Sequence, residues 1–318
     1  MKNKRPTFTY PSKIKGFSLI EFLVASALSL IVLMAITSTY FTARNLNSAA
    51  TSRLSVQQDL RNASALLVRD ARMAGSFGCF NMTNYTESSI KSKSDDNSTA
   101  PFNLASNSTS KGLIPLSEGT VSYLGFTQSA SPALIFQYGI DDNNPDADLA
   151  VASSCDNIAK SNKIKDIDTA KDALEITSND KDSMISVMKH IVVAYAVGEL
   201  GGQKGLYRFQ LDDSGSWGEP QLLIKGVESM EREYLYVDSC PEDVVNAASS
   251  TTVQEETFVL RDSLRPDPIQ SQEASTPALI RIKLNNGNKV TASSDNEIQI
   301  YNIDATVRGG NVCADRLL

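Results

Sequence analysis

The stretch Gly16-Phe17-Ser18-Leu19-Ile20-Glu21 and the apolar run behind it, residues 22–41, decide the fold of this chain. Only serine and threonine interrupt the apolar side chains of that run. As a helix rising 1.5 Å per residue, the run spans about 30 Å, which is the thickness of the hydrocarbon core of a bilayer. We therefore predict a membrane helix with a single carboxylate at its start.

A basic leader precedes this helix and predicts its orientation. Residues 1–16 contain no acid, and their basic side chains are Lys2, Lys4, Arg5, Lys13 and Lys15. A basic flank stays on the cytoplasmic side, so we expect the rest of the chain on the opposite side of the membrane. A cleaved secretory signal and a plain uncleaved anchor are the alternatives, but the apolar run is longer than a usual signal core. Neither alternative needs Glu21, and a carboxylate at full membrane depth costs roughly 2.5 to 3.5 kcal/mol.

The hexapeptide, the basic leader and the apolar run together resemble the class III signal of type IV pilins and type II secretion pseudopilins. That resemblance implies that a prepilin peptidase cuts after Gly16 and methylates the new N-terminus at Phe17. It also implies that Glu21 pairs with the N-terminal amine of a neighbouring subunit during assembly. Such a pair is physically reasonable, because an unpaired carboxylate is heavily penalised in a low dielectric.

The apolar pattern predicts that the helix continues well beyond residue 41. One stripe runs along it at helical spacing, comprising Val56, Leu60, Ala63, Leu67, Ala71 and Ala74. Gly75 supplies a stop signal. We predict one helix over residues 18–74, roughly 85 Å long, with its second half packed on a globular head. The alternative is a separate amphipathic helix after a loop at residues 37–47.

After the helix, short β-prone runs bounded by turn residues predict a sheet-rich head. They are residues 121–127, 133–138, 147–153, 191–197, 206–211, 221–224, 234–237, 257–260, 278–284 and 298–307. The glycine-rich residues 198–205 predict a hairpin connection, and the polar tracts 84–111 and 241–277 predict surface loops. The predicted class is α+β, with a leader at 1–16, a membrane and assembly helix at 17–74, and a periplasmic head at 75–318.

Several further motifs, which are less specific than the N-terminal one, indicate a subfamily of these proteins. Residues 72–75 with Gly78-Cys79, then Cys155, then residues 226–230 leading into Tyr234, resemble the large minor pilins of the PilW type, which are related to J-type pseudopilins. Thr306-Val307-Arg308 near the C-terminus fits this pattern, whereas Gly309, Gly310 and Cys313 do not have an obvious counterpart.

Four cysteines, Cys79, Cys155, Cys240 and Cys313, all follow the membrane helix and are therefore expected in an oxidising compartment. Their wide spacing excludes the short Cys-x-x-Cys clusters of zinc and redox sites, so we predict disulfides. Three connectivities are possible. We favour Cys79 with Cys155 and Cys240 with Cys313, because each pair would close one loop within one half of the head.

The sequence contains no recognisable catalytic or nucleotide-binding motif. His190 is the one histidine, and we expect a satisfied surface histidine at the start of a strand. No Walker loop or Gly-x-Ser-x-Gly elbow occurs. Alternate acidic positions, Asp142, Asn144, Asp146 and Asp148, resemble the first ligands of a calcium loop, but Ala147 replaces the turn glycine and Ser153 stands at the glutamate position. We therefore expect a solvated loop, no metal, no cofactor and no enzymatic activity.

Charge and resemblance together predict a role in assembly. Removing the five basic leader residues changes the net charge from −7 to −12, which disfavours nucleic acid as a partner. The resemblance implies a minor pilin that primes a type IV pilus, starting in the bacterial inner membrane and ending at the pilus tip. The implied partners are other minor pilins, the major pilin, prepilin peptidase and the inner-membrane assembly platform, with a tip adhesin as a further candidate. The alternatives are a type II secretion pseudopilin and a membrane-anchored extracytoplasmic binding protein.

Overall fold

A long helix begins in one compact unit of the chain and ends in another. The computed structural model describes residues 16–84, 89–91, 115–142, 150–161, 163–176, 184–212, 215–239, 257–264, 276–286 and 300–310. The two compact units are Met1–Ser55 and Val56–Leu318. Helix α1 (Leu19–Met73) is continuous over 55 residues, which confirms the long N-terminal helix and excludes a break at residues 37–47. The helix is unbroken because neither proline nor glycine occurs within it.

The first unit consists of α1 up to Ser55, and its apolar side chains are not buried. Phe22 is 71% exposed and Leu33 64% exposed. The most apolar 18-residue window of α1 has a mean hydropathy of 2.5 and none of it is buried. Within the described part of the chain, α1 alone is long and apolar enough to cross a membrane. Such a surface is stable only when lipid or other apolar helices surround it.

The second unit is built mainly from antiparallel strands that follow α1. The strands are β1 (Ser76–Phe77), β2 (Phe80–Asn81), β3 (Leu116–Gly119), β4 (Phe126–Gln128), β5 (Ala133–Asp141), β6 (Ala150–Ser153), β7 (Ile158–Lys160), β8 (Ser186–Leu200), β9 (Gln203–Gln210), β10 (Gln221–Lys225), β11 (Val227–Ser239), β12 (Thr257–Arg261), β13 (Leu279–Asn286) and β14 (Ile300–Thr306). A short helix, α2 (Ile167–Ala173), begins with a capping box formed by Asp166 and Thr169.

The described strands form two large sheets and a small hairpin. The first sheet has the order β10-β9-β8-β5-β3, and β4 and β6 also pair with β8, while β7 pairs with β6. The second sheet has the order β12-β11-β13-β14, and β1 pairs with β2 alone. Strand β8 is the longest, and it pairs antiparallel with β5, β6 and β9. The tight turn at Gly201-Gly202 joins β8 to β9, as the glycine-rich residues 198–205 predicted.

The main core of the second unit lies where α1 meets one face of each large sheet. Ala63, Leu67 and Ala71 of α1 pack in one cluster with Tyr195 of the first sheet and Tyr234 of the second. These α1 residues belong to the apolar stripe identified in the sequence, and each of them is fully buried. The structure is therefore an α+β fold, as predicted.

Several elements were not predicted from the sequence. Strands β1, β2, β3 and β7 and helix α2 are too short for a periodic pattern to reveal them. Of the run predicted as a strand at residues 121–127, only the last two residues belong to a strand, which is β4. The polar tracts 84–111 and 241–277 lie mostly outside the described residues, although β12 occupies the strand position expected within the second tract.

Candidate functional site

The predicted processing and assembly residues lie at the start of α1. Gly16 and Phe17 precede the helix, and Phe17 is 91% exposed. Apart from its chain neighbours, no atom of the described residues lies within 4 Å of the position that a side chain on Gly16 would take. The peptide bond between these two residues is therefore open to approach from a second protein. This accessibility is what cleavage by a peptidase would require.

Glu21 interacts with the helix start in its own chain. The backbone N–H of Ser18 donates a hydrogen bond to Glu21 Oε2 at 3.0 Å. Ser18 precedes the first helical residue, so the pair forms one half of a capping box, in which an acid in the first turn satisfies a free backbone donor. The negative charge also lies at the positive end of the helix dipole. The single acid of the apolar segment thus lies at the end of the helix where the dipole favours a negative charge.

The side chains around Glu21 form an apolar groove along the helix. Ile20, Val24, Ala25 and Leu28 line it together with Glu21. The hydroxyl groups further along α1 are satisfied within the helix, because Ser29 donates to the Ala25 carbonyl at 2.7 Å and other serines and threonines do the same. Glu21 is therefore the one charged side chain that a neighbouring helix would meet along the 19–41 segment.

Asp70 is a buried carboxylate that fixes α1 in the second unit. Its side chain has no exposed surface, and four side chains bond to it. Tyr138 donates to Oδ1 at 3.0 Å and Tyr195 donates to Oδ2 at 2.7 Å. Arg208 Nε lies 3.0 Å from Oδ2, and Arg69 Nε and Nη2 lie 3.1 and 2.9 Å from Oδ1. A fully buried carboxylate is tolerated only with partners of this kind.

The tyrosines of this network stay protonated well above their normal range. Burial, followed by the negative charge of Asp70, raises the pKa of Tyr138 to about 12. The same two causes, in the same order, raise the pKa of Tyr195. Both hydroxyl groups are consequently held as hydrogen-bond donors to Asp70. The sequence analysis did not predict this cluster. One signal for it was present, since Asp70 is an acid that lies between Leu67 and Ala71 of the apolar stripe.

A disulfide joins the segment after α1 to the first sheet. Cys79 and Cys155 are bonded, with their Cα atoms 4.7 Å apart, which is the first of the two favoured pairings. Cys79 lies in the β1–β2 turn and Cys155 in the turn between β6 and β7. Phe77, Phe80 and Ile158, which belong to the strands next to these turns, pack in a separate core cluster. Cys240 and Cys313, the predicted second pair, lie outside the described residues.

Of the four calcium candidates, Asp142 alone lies within the described residues. Asp142 follows β5, while Asn144, Asp146 and Asp148 lie outside the described residues. Among the described residues, no group of three or more His, Cys, Asp or Glu side chains is arranged to hold a metal ion.

His190 is buried, so the prediction of a surface histidine is wrong. It lies within β8 rather than at its start and is 3% exposed. Its Nε2 is 3.0 Å from Gln137 Oε1, and its Nδ1 is 3.3 Å from Lys160 Nζ. Burial, followed by the positive charge of Lys160, lowers the pKa of His190 to about 3. The ring is therefore neutral, with Nε2 as the donor to Gln137 and Nδ1 as the acceptor from Lys160.

The C-terminal glycines that did not match the resemblance have a structural explanation. A side chain on Gly310 would lie 2.0 Å from the carbonyl oxygen of Pro277. Gly309 has a φ of 74°, and a side chain there would lie 2.5 Å from Asn81. The chain after β14 thus passes so close to its neighbours that only glycine fits.

Comparison with known proteins finds a match at the N-terminal end of the chain. A family model described as the prokaryotic N-terminal methylation motif matches residues 11–37, which include Gly16, Phe17 and Glu21. No curated protein matches the chain, and no solved structure matches it either. The motif supports a protein of the type IV pilin or pseudopilin kind that is processed by prepilin peptidase. The long apolar helix is consistent with a membrane anchor.

Proposed function

We propose that this chain is a non-enzymatic minor pilin of the PilW type that primes a type IV pilus from the bacterial inner membrane and is carried to the pilus tip. The observation that carries the proposal is the Gly16-to-Glu21 string at the start of a bare apolar helix, within the span of the methylation motif. Its partners are other minor pilins, the major pilin, prepilin peptidase and the assembly platform, with a tip adhesin as a further candidate.

The chemistry of the N-terminus supports assembly through Glu21. Cleavage after Gly16 creates a new amine at Phe17, and methylation leaves that amine protonated and positively charged. In an apolar environment, the Glu21 carboxylate of one subunit and the amine of another form a strong pair, since each is heavily penalised alone. The hydrogen bond from Ser18 holds the carboxylate at the helix start until such a partner arrives.

The second unit supports a position at the end of a filament. It extends from Val56 to Leu318 and includes two large sheets. A head of this size would be difficult to accommodate in every turn of a thin filament, whereas one copy at the tip meets no such restriction.

Mass spectrometry and a Glu21→Ala variant test the proposal in a piliated host. We expect the mature chain to begin at a methylated Phe17. We expect Glu21→Ala to be cleaved normally but to be absent from sheared pili, with piliation and twitching reduced. Ser29→Ala is the matched control, because it removes a self-satisfied hydroxyl from the same helix. Normal piliation and twitching with Glu21→Ala would show that the assembly role is wrong.

Co-purification distinguishes a subunit of a type IV pilus from a subunit of a type II secretion pseudopilus. Recovery of the native chain with pilus subunits supports the proposal. Recovery with type II secretion components instead assigns the chain to a pseudopilus, and recovery with neither would favour a membrane-anchored binding protein. The assay uses the full chain extracted from membranes, so that the helix remains present.

A further inference from the structure

Strand β14 forms one end of the second sheet, and among the described residues it has a partner strand on one side only. It pairs antiparallel with β13 from Ile300 to Thr306 without a register shift. Val307, directly after it, donates its backbone N–H to the carbonyl of Ala278 at 3.0 Å. In an antiparallel pair, every second residue bonds to the same neighbouring strand. The backbone groups that bond to β13 are therefore those of residues 301, 303 and 305, and those on the open side belong to residues 300, 302 and 304.

The backbone groups on the open side of β14 are unpaired. Within the part of the chain that the structure describes, no hydrogen bond reaches the N–H or the carbonyl of Ile300, Asn302 or Asp304 on that side. Arg72 reaches only the last residue of the strand, where its Nε lies 3.4 Å from the Thr306 hydroxyl. Since each residue offers one donor and one acceptor, the open edge is a row of alternating groups that matches another extended chain.

The strands at the other three ends of the two sheets are short, bulged or basic, whereas β14 is not. Strand β3 has four residues, and Gln128 Nε2 donates to the carbonyl of Gly119 at its end. The β10 and β12 ladders each contain a register shift, and these strands end at Lys225 and Arg261. Short strands, bulges and basic side chains protect sheet edges from other chains. Strand β14 has seven residues, a regular ladder, and no proline, lysine or arginine.

The two faces of β14 differ in polarity and are already fixed. Ile303 and Ala305 face the main core and are 5% and 0% exposed. On the opposite face, Arg281 Nε donates to Asp304 Oδ1 at 3.0 Å and holds that side chain in place. A strand that is ordered before binding loses little conformational freedom when a partner arrives. The edge is therefore a preorganised template with one apolar and one polar side.

We propose that the open edge of β14 binds an extended strand of a neighbouring subunit in the same filament. The inference rests on the proposed role in assembly, and it adds a contact in the second unit that does not involve Glu21. Unpaired backbone donors and acceptors select an extended main chain as the ligand. The two faces select its sequence pattern, with apolar side chains beside Ile303 and Ala305 and polar side chains between them. A different subunit fits better than a second copy, because a single copy at a tip has no second copy beside it.

Photo-crosslinking from the start of β14 tests this inference in a piliated host. A photoreactive amino acid replaces Ile300, which is 58% exposed, in the full-length chain, and mass spectrometry identifies the crosslinked peptide. We expect a peptide of another filament subunit in which apolar and polar residues alternate. Ile167 on α2 is the matched control position, because it is the same residue type and is 56% exposed. It should not crosslink to that peptide.

Two substitutions of Asn302 separate backbone pairing from side-chain contact. Asn302→Pro and Asn302→Ser both remove the amide side chain, but only proline also removes the N–H on the open side. Proline is tolerated in an edge strand where its nitrogen faces away from the ladder. We expect Asn302→Pro to lower the crosslink yield from position 300 about tenfold or more, and Asn302→Ser to change it less than about twofold.

Hydrogen exchange on the native chain provides a measurement that does not depend on the folding of a variant. The amides of Asn302 and Asp304 should exchange at least about tenfold more slowly in the co-purified complex than in the free mature chain. A hydrogen bond to a partner strand protects these amides, whereas side-chain contact alone leaves them open to water.

Each other result contradicts the inference. Crosslinks to a second copy of this chain, to another part of the same chain, to lipid or to nothing would overturn it. Equal yields from Asn302→Pro and Asn302→Ser, or unchanged exchange at the two amides, would do the same. Failure of the proposed function is distinguishable, because it appears as a native chain that is absent from pili and from their subunits. Failure of the edge contact alone appears as a native chain that is incorporated normally but gives one of these results.

Discussion

The hydroxyl group of Tyr195 on β8 donates a hydrogen bond to Asp70 Oδ2 on α1 across 2.7 Å, although 125 residues separate the two in sequence. Tyr138, Arg69 and Arg208 complete the partners of the same carboxylate. The helix that is predicted to carry the assembly residues is therefore attached to the sheet of the second unit by a directional, charged contact as well as by apolar packing.

Loss of the Asp70 charge should destabilise the second unit. In Asp70→Asn, the largely buried Arg208 loses its carboxylate, and breaking a buried pair costs about 3 to 5 kcal/mol. We expect a lower urea midpoint for the mature chain in detergent, followed by tryptophan fluorescence of the single Trp217. Asp59→Asn on the same helix is the control and should change stability by less than about 0.5 kcal/mol. Equal midpoints for the two variants would contradict a structural role for the network.

His190 should remain neutral in the folded protein far below pH 6.5. Its pKa of about 3 lies below that of an unfolded histidine, so the unfolded chain binds more protons between these two values. The contribution of His190 to stability is thus complete above pH 6.5 and is lost as the pH falls toward 3. Because the chain has one histidine, its ring resonance can be followed by NMR without assignment.

We expect that resonance to keep its chemical shift from pH 7.5 to 4.5 in the folded protein and to titrate near 6.5 in urea. His190→Gln should also flatten the fall in stability over the same pH range, because glutamine binds no proton. A folded-state titration midpoint near 6.5 would show that the ring is not buried as described. Lys160→Met is the companion variant, since removing the nearby cation should raise the histidine pKa.

Removal of the Cys79–Cys155 disulfide should lower stability. The bond spans 76 residues of sequence, and closing a loop of that length contributes roughly 4 kcal/mol in the chain-entropy model. We expect Cys79→Ser, Cys155→Ser and the double variant to have equally lowered urea midpoints, since each removes the same bond. Non-reducing peptide mapping of the native chain checks the connectivity, including the predicted Cys240–Cys313 pair. A fragment linking Cys79 to Cys240 would contradict both pairings.

Substitution of Gly310 should be costly even by alanine. The added methyl group would lie 2.0 Å from the backbone oxygen of Pro277, which cannot rotate away as a side chain can. We expect a loss of about 1 to 3 kcal/mol in thermal or urea unfolding. Gly119→Ala is the matched control, because its nearest neighbour is the flexible end of Ile135 at 3.1 Å. Similar losses for both variants would show that backbone crowding does not explain Gly310.

Local sequence patterns predicted much of this fold, because the formation of helices and turns depends mainly on residues that are close together along the chain. The absence of proline and glycine, together with a stripe of small and apolar residues, predicted α1 almost to its last residue. The glycine-rich residues 198–205 predicted the hairpin, because its tight turn requires a positive φ at Gly201 and Gly202. The exposure of His190 was mispredicted because a strand at the centre of a sheet buries polar side chains when partners such as Gln137 are available from a distant strand.

The sequence by itself determined the processing string at Gly16 to Glu21, the apolar helix and the α+β class, because these depend on residues that are neighbours along the chain. Only the tertiary structure decided the partners of Asp70, the environment of His190, the Cys79–Cys155 bond and the fit of Gly310. Each of these depends on which distant strands come together, and that is set by the packing of the whole core rather than by any one segment.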